Sequence, residues 1–148
     1  MYKHILLPVD LQEEEDSLPR QAALEKAVEL CRFYKAQLHV LTVVPDLGMP
    51  IVGQYFPADA GDNIIQDAEN ALHALLQQTV PKDIWVQHLV AQGSIYRRII
   101  EMAEEVHADL IVMPANRTKF RDYLLGTNTA RVVRHAQCSV LVVRKLEE

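Results

Sequence analysis

The stretch near the carboxyl end of the chain constrains the fold more than any other part of the sequence. Leu110–Met113 is a short apolar run that ends at a proline, and Ser139–Val143 is a second apolar run. Between them, Pro114–Leu125 is polar and carries several cations, and Gly126–His135 has the apolar spacing of a helix. The order strand, polar loop, glycine turn, helix and strand predicts one βαβ unit with two parallel strands.

The same alternation of strands and helices continues through the rest of the chain. Tyr2–Asp10, Gln37–Val44 and Ile84–Val90 have the composition of strands, and polar residues inside the third place it at a sheet edge. Asp46–Asp62 has few periodic apolar residues and is predicted to be a long loop. Apolar residues at helical spacing predict three further helices: Leu24, Ala27, Val28, Cys31 and Tyr34; Ala68, Ala71, Leu72, Leu75 and Leu76; and Ile95, Ile99, Met102, Ala103 and Val106. The pattern predicts a single α/β domain, residues 1–148, with a doubly wound parallel sheet of five strands and helices on both faces.

The composition argues weakly against two classes of main partner and indicates the state of the cysteines. The chain has 148 residues and a net charge of −5 without a basic block, which argues against nucleic acid or an anionic membrane surface as the partner. No apolar run is long enough for a signal peptide or a membrane span. Cys31 and Cys138 lie inside apolar patterns without metal-ligand spacing, which predicts reduced core residues of a cytoplasmic protein. The alternative for these cysteines is a disulfide between them.

Candidate site residues follow the predicted first and fourth strands, at the edge where open parallel sheets bind ligands. Asp10 stands just past the first strand, where its carboxylate either binds a ribose, a base or hydrated Mg²⁺, or only caps the following turn. Gly126 and Thr127 begin the last helix, with Thr127 as the predicted N-cap, so that free N–H groups and the positive dipole end face the preceding loop. Arg117 and its neighbouring cations in that loop either bind a phosphate or form a solvated face.

Three segments together resemble one known family. The start KHILLPVD, the segment LLGTNTARVVRHA and the ending CSVLVVR are similar to the universal stress protein family, and the order of elements matches over nearly the whole chain. The resemblance implies five parallel strands in the order 3-2-1-4-5, a dimer in many members, and a nucleotide-binding branch with a glycine-rich loop. Within the family the chain is most similar to the small, filament-associated subgroup, whose loop is shortened and lacks those glycines.

The resemblance also implies which residues hold an adenine nucleotide. The last glycine of the family's motif is Gly126 and the hydroxyl after it is Thr127, whereas the two earlier glycine positions hold Pro114 and Arg117. Arg117 either replaces the lost backbone contacts with a phosphate clamp or blocks the space that a glycine leaves open. The residues that the resemblance assigns to the nucleotide are Pro8, Val9, Asp10, Val43, Met113, Pro114, Asn116, Arg117, Gly126, Thr127, Asn128 and Thr129.

Together with these patterns, the resemblance implies a cytoplasmic, dimeric stress-response module that binds ATP, ADP or AMP, with or without Mg²⁺, and performs no catalysis. Three alternatives stay open at this point: a dimeric interaction module that has lost nucleotide binding, a slow ATPase that uses Asp10 and a bound metal, and a binder of a flavin or another anionic small molecule. The dimer is predicted through Ser139–Val143, because this apolar strand falls at a sheet edge and pairing with its copy would protect it from aggregation.

Overall fold

The computed structural model describes residues 1–12, 18–44, 60–115 and 125–144, with side chains of residues 60–62 left out. Within these ranges the chain alternates strictly between strands and helices. The strands are β1 (His4–Pro8), β2 (Gln37–Val44), β3 (Val86–Gln92), β4 (Leu110–Pro114) and β5 (Ser139–Val143). The helices are α1 (Leu18–Tyr34), α2 (Ala60–Thr79), α3 (Ile95–Glu105) and α4 (Thr127–His135). None of these helices is long and apolar enough to cross a membrane.

The five strands form one parallel sheet in the order β3-β2-β1-β4-β5, which confirms the predicted fold class and strand order. β1 is the central strand, and its residue Leu6 lies opposite His39 of β2 and Ile111 of β4. The side chains of Ile5, Leu6 and Leu7 are completely buried. Burial on both faces explains why this strand reads as a continuous apolar run rather than as an alternating pattern.

Each face of the sheet carries its own apolar cluster, because successive side chains of a strand point to opposite faces. Leu7 belongs to the first cluster, which α1 and α2 cover, and Leu6 belongs to the second, which α3 and α4 cover. Cys31 is buried in the first cluster, whereas Cys138 packs against the second, and both are free thiols. The disulfide alternative is therefore wrong. Burial raises the pKa of the Cys31 thiol to about 11, which keeps it protonated.

Several element boundaries differ from the sequence prediction: β1 is His4–Pro8 rather than Tyr2–Asp10, β3 ends at Gln92 rather than at Val90, and the starts of β3 and α2 also differ. β3 begins at Val86 rather than at Ile84, because the N–H of Ile84 donates to Pro81 O in the preceding turn, at 3.1 Å. α2 begins at Ala60, so the end of the predicted Asp46–Asp62 loop is helical, and residues 45–59 lie outside the described ranges. Apolar spacing did not predict the start of α2, because the first turn of this helix contains polar residues.

Side chains hold together the amino edge of the sheet, where the strands begin. Asp109 accepts the backbone N–H of Lys3 with Oδ2, at 2.9 Å, and that of His4 with Oδ1, at 3.2 Å. His4 Nδ1 lies 3.1 Å from His39 Nε2, and His39 Nδ1 lies 2.6 Å from Gln87 Oε1. This polar chain crosses β1, β2 and β3 at the start of each strand.

Candidate functional site

The strands β1 and β4 end side by side at the carboxyl edge of the sheet, and each ends at a proline. β1 ends at Pro8 and β4 at Pro114, and the two strands are direct neighbours in the sheet. The direction of winding reverses between them, because β2 lies on the other side of β1. Open α/β sheets bind ligands at such a reversal, so Pro8 and Pro114 lie where a ligand is expected.

The turn after β1 holds Asp10 in place. The N–H of Val9 donates to Leu41 O of β2 at 2.8 Å, and the Val9 side chain is buried. Asp10 Oδ1 accepts the N–H of Gln12 at 2.9 Å, which is the local turn that aspartate commonly forms. The buried side chain of Arg20 donates from Nη1 to the carbonyl of Asp10 at 3.2 Å. Asp10 therefore caps its own turn, and its contact with a ligand stays a prediction.

Helix α4 begins at an N-cap residue that has no side chain. The N-cap is Gly126, with φ −58° and ψ 153°, and no side-chain hydrogen bond caps the helix. Thr127 is the exposed first residue of α4, so the prediction that Thr127 is the N-cap is wrong: helical backbone geometry begins one residue earlier than expected. The first N–H groups of any α-helix have no acceptor within the helix, which leaves those of Thr127, Asn128 and Thr129 at the carboxyl edge.

Hydrogen bonds fix the start of α4 to the ends of two strands. Thr129 is 6% exposed, and its Oγ1 donates to Pro114 O at 3.0 Å. The N–H of Gly126 donates to Ala115 O at 2.8 Å, and the N–H of Ala115 donates to Val143 O at 3.0 Å. The Thr129 hydroxyl thus positions the helix against β4, and a direct contact between Thr129 and a nucleotide stays a prediction.

Of the other predicted residues, two lie in or against the core and two lie outside the described residues. Met113 is buried in the second cluster, and Val43 is half-buried against the same cluster. Asn116 and Arg117 lie outside the described residues. Whether Arg117 binds the phosphate or blocks its space therefore stays an open prediction. Among the residues described, no group of three or more His, Cys, Asp or Glu side chains is placed to hold a metal ion.

A cationic cluster between α3 and α4 was missed by sequence reasoning. The guanidinium carbon of Arg131 lies 5.1 Å from the centre of the Tyr96 ring, and that of Arg97 lies 5.7 Å from the same centre. Arg97 Nε also donates to Tyr96 Oη at 3.1 Å, which lowers the pKa of the tyrosine. We call Tyr96, Arg97 and Arg131 the Tyr96 cluster. Its sequence signal is the presence of arginines early in two helices whose first turns contain no acidic residue.

Two cavities of the described chain lie away from the paired ends of β1 and β4. A groove of about 360 Å³ between α1 and the end of β5 is bordered by Leu18 and Val143. A cavity of about 200 Å³ at the end of β3 is bordered by Gln92 and Arg98. None of the residues predicted to bind a nucleotide lines either cavity. The candidate site is therefore defined by the strand ends and the start of α4.

Known proteins resemble this chain over all or nearly all of its length. Universal stress protein G of Shigella flexneri is 31% identical over 150 residues, which cover 97% of this chain and 100% of that protein. The solved structure of the hypothetical protein MJ0577 is similar with a TM-score of 0.78 at 23% identity, and the match covers 100% of this chain and 99% of that one.

Two similar solved structures hold adenine nucleotides. A universal stress protein in complex with cAMP matches with a TM-score of 0.59 at 22% identity, over 97% of both chains. The universal stress protein from Archaeoglobus fulgidus in complex with dAMP matches with a TM-score of 0.63 at 19% identity, over 95% of this chain and 97% of that one. At these identities the likeness establishes the shared fold.

The family model described as "Universal stress protein family" matches residues 1–144. This match spans all five strands, including β1 and β4 with their terminal prolines, and it includes Gly126, the N-cap of α4. The chain belongs to the universal stress protein family.

Proposed function

We propose that this protein binds an adenine nucleotide at the carboxyl edge of the sheet and acts as a regulatory module in a cytoplasmic stress response. One observation carries the proposal: the start of α4 has no side-chain cap and is fixed beside the end of β4 by the bond from Thr129 Oγ1 to Pro114 O, at 3.0 Å. A fixed, uncapped helix start offers N–H donors and a positive dipole end to a phosphate.

The end of β1 supports the part of this proposal that concerns the base and the ribose of the nucleotide. Asp10 stands one residue past Val9, whose backbone is bonded to β2, so the carboxylate is held beside the sheet rather than on a free loop. A carboxylate at this place can accept hydrogen bonds from a ribose or a base. The complexes of two structural neighbours with cAMP and dAMP motivate the choice of an adenine nucleotide.

We further assign the chain to the shortened-loop branch of the family. Pro114 and Arg117 stand where the nucleotide-binding branch has its first two glycines, so backbone contacts to phosphate from those positions are replaced or lost. The carbonyl of Pro114 already accepts the Thr129 hydroxyl, which gives this residue a role in positioning α4. The phosphate contacts then depend mainly on Gly126, Thr127 and Asn128.

Calorimetric titration with ATP, ADP and AMP, each with and without Mg²⁺, tests the proposal. We expect saturable binding of at least one nucleotide. Absence of heat at millimolar concentration of all three would favour the dimeric interaction module that has lost the nucleotide. Mass spectrometry of the ligand carried through purification would identify a flavin or another anion in its place.

We propose binding rather than catalysis, and the rival is a slow ATPase that uses Asp10. The carboxylate of Asp10 is already bonded to the N–H of Gln12, which suits a positioning role better than that of a general base. Phosphate release from ATP that is enzyme-dependent and disappears in Asp10→Ala would support the ATPase. Release that is absent from the wild-type protein, or that survives this substitution, would reject it.

We also propose that β5 pairs with its copy in a second subunit. β5 has a neighbour on one side, β4, and its residues from Val140 to Val143 are apolar and half-buried. Val143 O faces β4, because it accepts the N–H of Ala115. Backbone groups of successive residues point to opposite sides of a strand, so the N–H of Val142 faces the open edge. An unpaired apolar edge of this kind is a pairing surface for another strand.

The dimer is tested by substituting Val142→Pro, which removes the outward N–H without removing a bond to β4. We expect sedimentation equilibrium to show a dimer for the wild-type protein and a folded monomer for Val142→Pro. Val142→Ala, which keeps the N–H, is the matched control and should remain largely dimeric. A wild-type protein that is monomeric at micromolar concentration would contradict the proposal.

A further inference from the structure

The first buried position of helix α1 is occupied by an arginine. The buried side chains of this helix recur at the spacing of one helix face, and they are those of Arg20, Ala23, Leu24, Ala27, Val28 and Cys31. Arg20 is 7% exposed and lies in the first turn of α1, where the helix dipole disfavours a cation. Burial of a guanidinium group is also unfavourable unless hydrogen bonds compensate for the lost water. Two physical costs therefore oppose an arginine at this position, and its contacts must offset them.

The contact of Arg20 is with the turn that carries Asp10. Arg20 Nη1 donates to Asp10 O at 3.2 Å. On one side of this bond, the N–H of Val9 donates to Leu41 O at 2.8 Å, and on the other, Asp10 Oδ1 accepts the N–H of Gln12 at 2.9 Å. The peptide group after Asp10 is planar, so a bond to its carbonyl fixes the orientation of the whole group. The bond from Arg20 thus supports the local turn in which the Asp10 carboxylate is held.

We infer that Arg20 is a positioning residue for the nucleotide, which holds the Asp10 carboxylate in the orientation that a ribose or a base meets. This inference rests on the proposed function and adds to it a residue that acts without touching the ligand. A carboxylate can accept about four hydrogen bonds, so the one from Gln12 does not exhaust it. A carboxylate that is already oriented loses little freedom when the ligand binds, which favours affinity.

Calorimetric titration of Arg20 variants with ATP and with AMP tests the inference. In Arg20→Met, which keeps a long side chain but no donor, we expect the affinity for both nucleotides to fall roughly fivefold, as for the loss of one hydrogen bond. Arg20→Lys keeps a charge and a donor and should lose less. Arg32→Met is the matched control, because Arg32 lies in the last turn of the same helix and pairs with Asp83. Equal losses in Arg20→Met and Arg20→Lys, or the same loss in Arg32→Met, would overturn the inference.

A double-mutant cycle separates positioning from a general structural role. If Arg20 acts through the Asp10 carboxylate, Arg20→Met should cost little further affinity in a protein that already carries Asp10→Ala. If Arg20 only supports the fold, the two losses should add. Additive losses of affinity in the double variant would therefore reject the positioning role.

Amide hydrogen exchange, measured by NMR without ligand, distinguishes failure of this inference from failure of the proposed function. We expect exchange at the Gln12 N–H to become severalfold faster in Arg20→Met relative to the Val9 N–H, which is bonded to β2. An unchanged ratio of the two exchange rates would overturn the inference. If the wild-type protein binds neither ATP nor AMP but the Gln12 exchange responds, the proposed function fails and Arg20 still holds the turn. Wild-type binding with unchanged affinity in Arg20→Met would reject the inference alone.

Discussion

The two edges of the sheet are built by different means. At the amino edge, side chains connect the strands: the Asp109 carboxylate holds two backbone N–H groups, and the His4–His39–Gln87 chain spans three strands. At the carboxyl edge, β1 and β4 end at Pro8 and Pro114, and backbone groups make several of the connections. The side chains that take part there include the Thr129 hydroxyl, which donates to Pro114 O, and the Arg20 guanidinium, which donates to Asp10 O. One edge uses its polar groups for the fold, and the other leaves helix N–H groups for a ligand.

This contrast separates stability from binding in the same sheet. Polar groups that are satisfied within the protein stabilise the fold but offer nothing to a ligand. Donors at a helix start that lack a partner within the helix contribute little to folding and are available to an anion. Substitutions at the amino edge should therefore change stability without changing nucleotide affinity. Substitutions at the start of α4 should change nucleotide affinity with little change in stability.

The largest expected effect is at the amino edge, in Asp109→Ala. The substitution leaves the N–H groups of Lys3 and His4 without their carboxylate acceptor. We expect the free energy of unfolding, measured by urea denaturation, to fall by about 2 kcal/mol, since bonds to a charged group are involved. Asp109→Asn, which keeps one acceptor oxygen, should lose about half as much. If the free energy of nucleotide binding to the folded variant changed by more than its free energy of unfolding, stability and binding would not be assigned to different edges of the sheet.

A smaller effect, on binding, is expected at the carboxyl edge in Gly126→Val. The backbone angles of Gly126 are open to valine, so stability should change little, but the branched side chain intrudes where N–H groups would meet a phosphate. We expect nucleotide affinity to fall about tenfold, or about 1.4 kcal/mol, in a calorimetric titration.

Gly93→Ala is the matched glycine control. Gly93 has a φ of +130°, and a Cβ there would lie 2.9 Å from Arg98 Nε, so alanine is strained whatever the ligand. This variant should lose stability rather than affinity. If Gly126→Val left affinity unchanged while Gly93→Ala lowered it, the phosphates would have to bind nearer to α3.

The order and type of the helices and strands could be predicted from the sequence, but not all of their boundaries could. Short apolar runs that end at Pro8 and Pro114 marked two strands closely, because proline interrupts a strand at a definite residue. The start of α2 at Ala60 was hidden, since apolar spacing appears only later in that helix. β3 was placed at a sheet edge because of its polar residues, and the edge position is confirmed, although Gln87 is bonded to His39 inside the sheet.

The candidate site was predictable only where it follows from strand ends. Asp10 and Gly126 follow strand and loop signals directly, so their place at one edge was expected. The Tyr96 cluster was not, because Tyr96 and Arg131 are on different helices and meet only when α3 and α4 pack on the same face. The amino-edge chain was missed for the same reason, since a hydrogen bond across strands depends on register.

The smallest expected effect is a pH dependence of stability that comes from His39 at the amino edge of the sheet. Burial lowers the pKa of His39, so between its folded and unfolded pKa values the unfolded chain binds more protons. Stability contributed by this group is complete above the unfolded value of 6.5 and is lost as the pH falls below it through the folded value. Urea denaturation at pH 7 and pH 5 should show this loss in the wild-type protein and a weaker one in His39→Gln. His88, whose pKa is lowered first by burial and then by His73, contributes in the same direction, so His88→Gln is the control for a less buried histidine. Should His39→Gln keep the full pH dependence, protonation of His39 would not be coupled to folding, and the expected contribution of its burial to the pH dependence would be wrong.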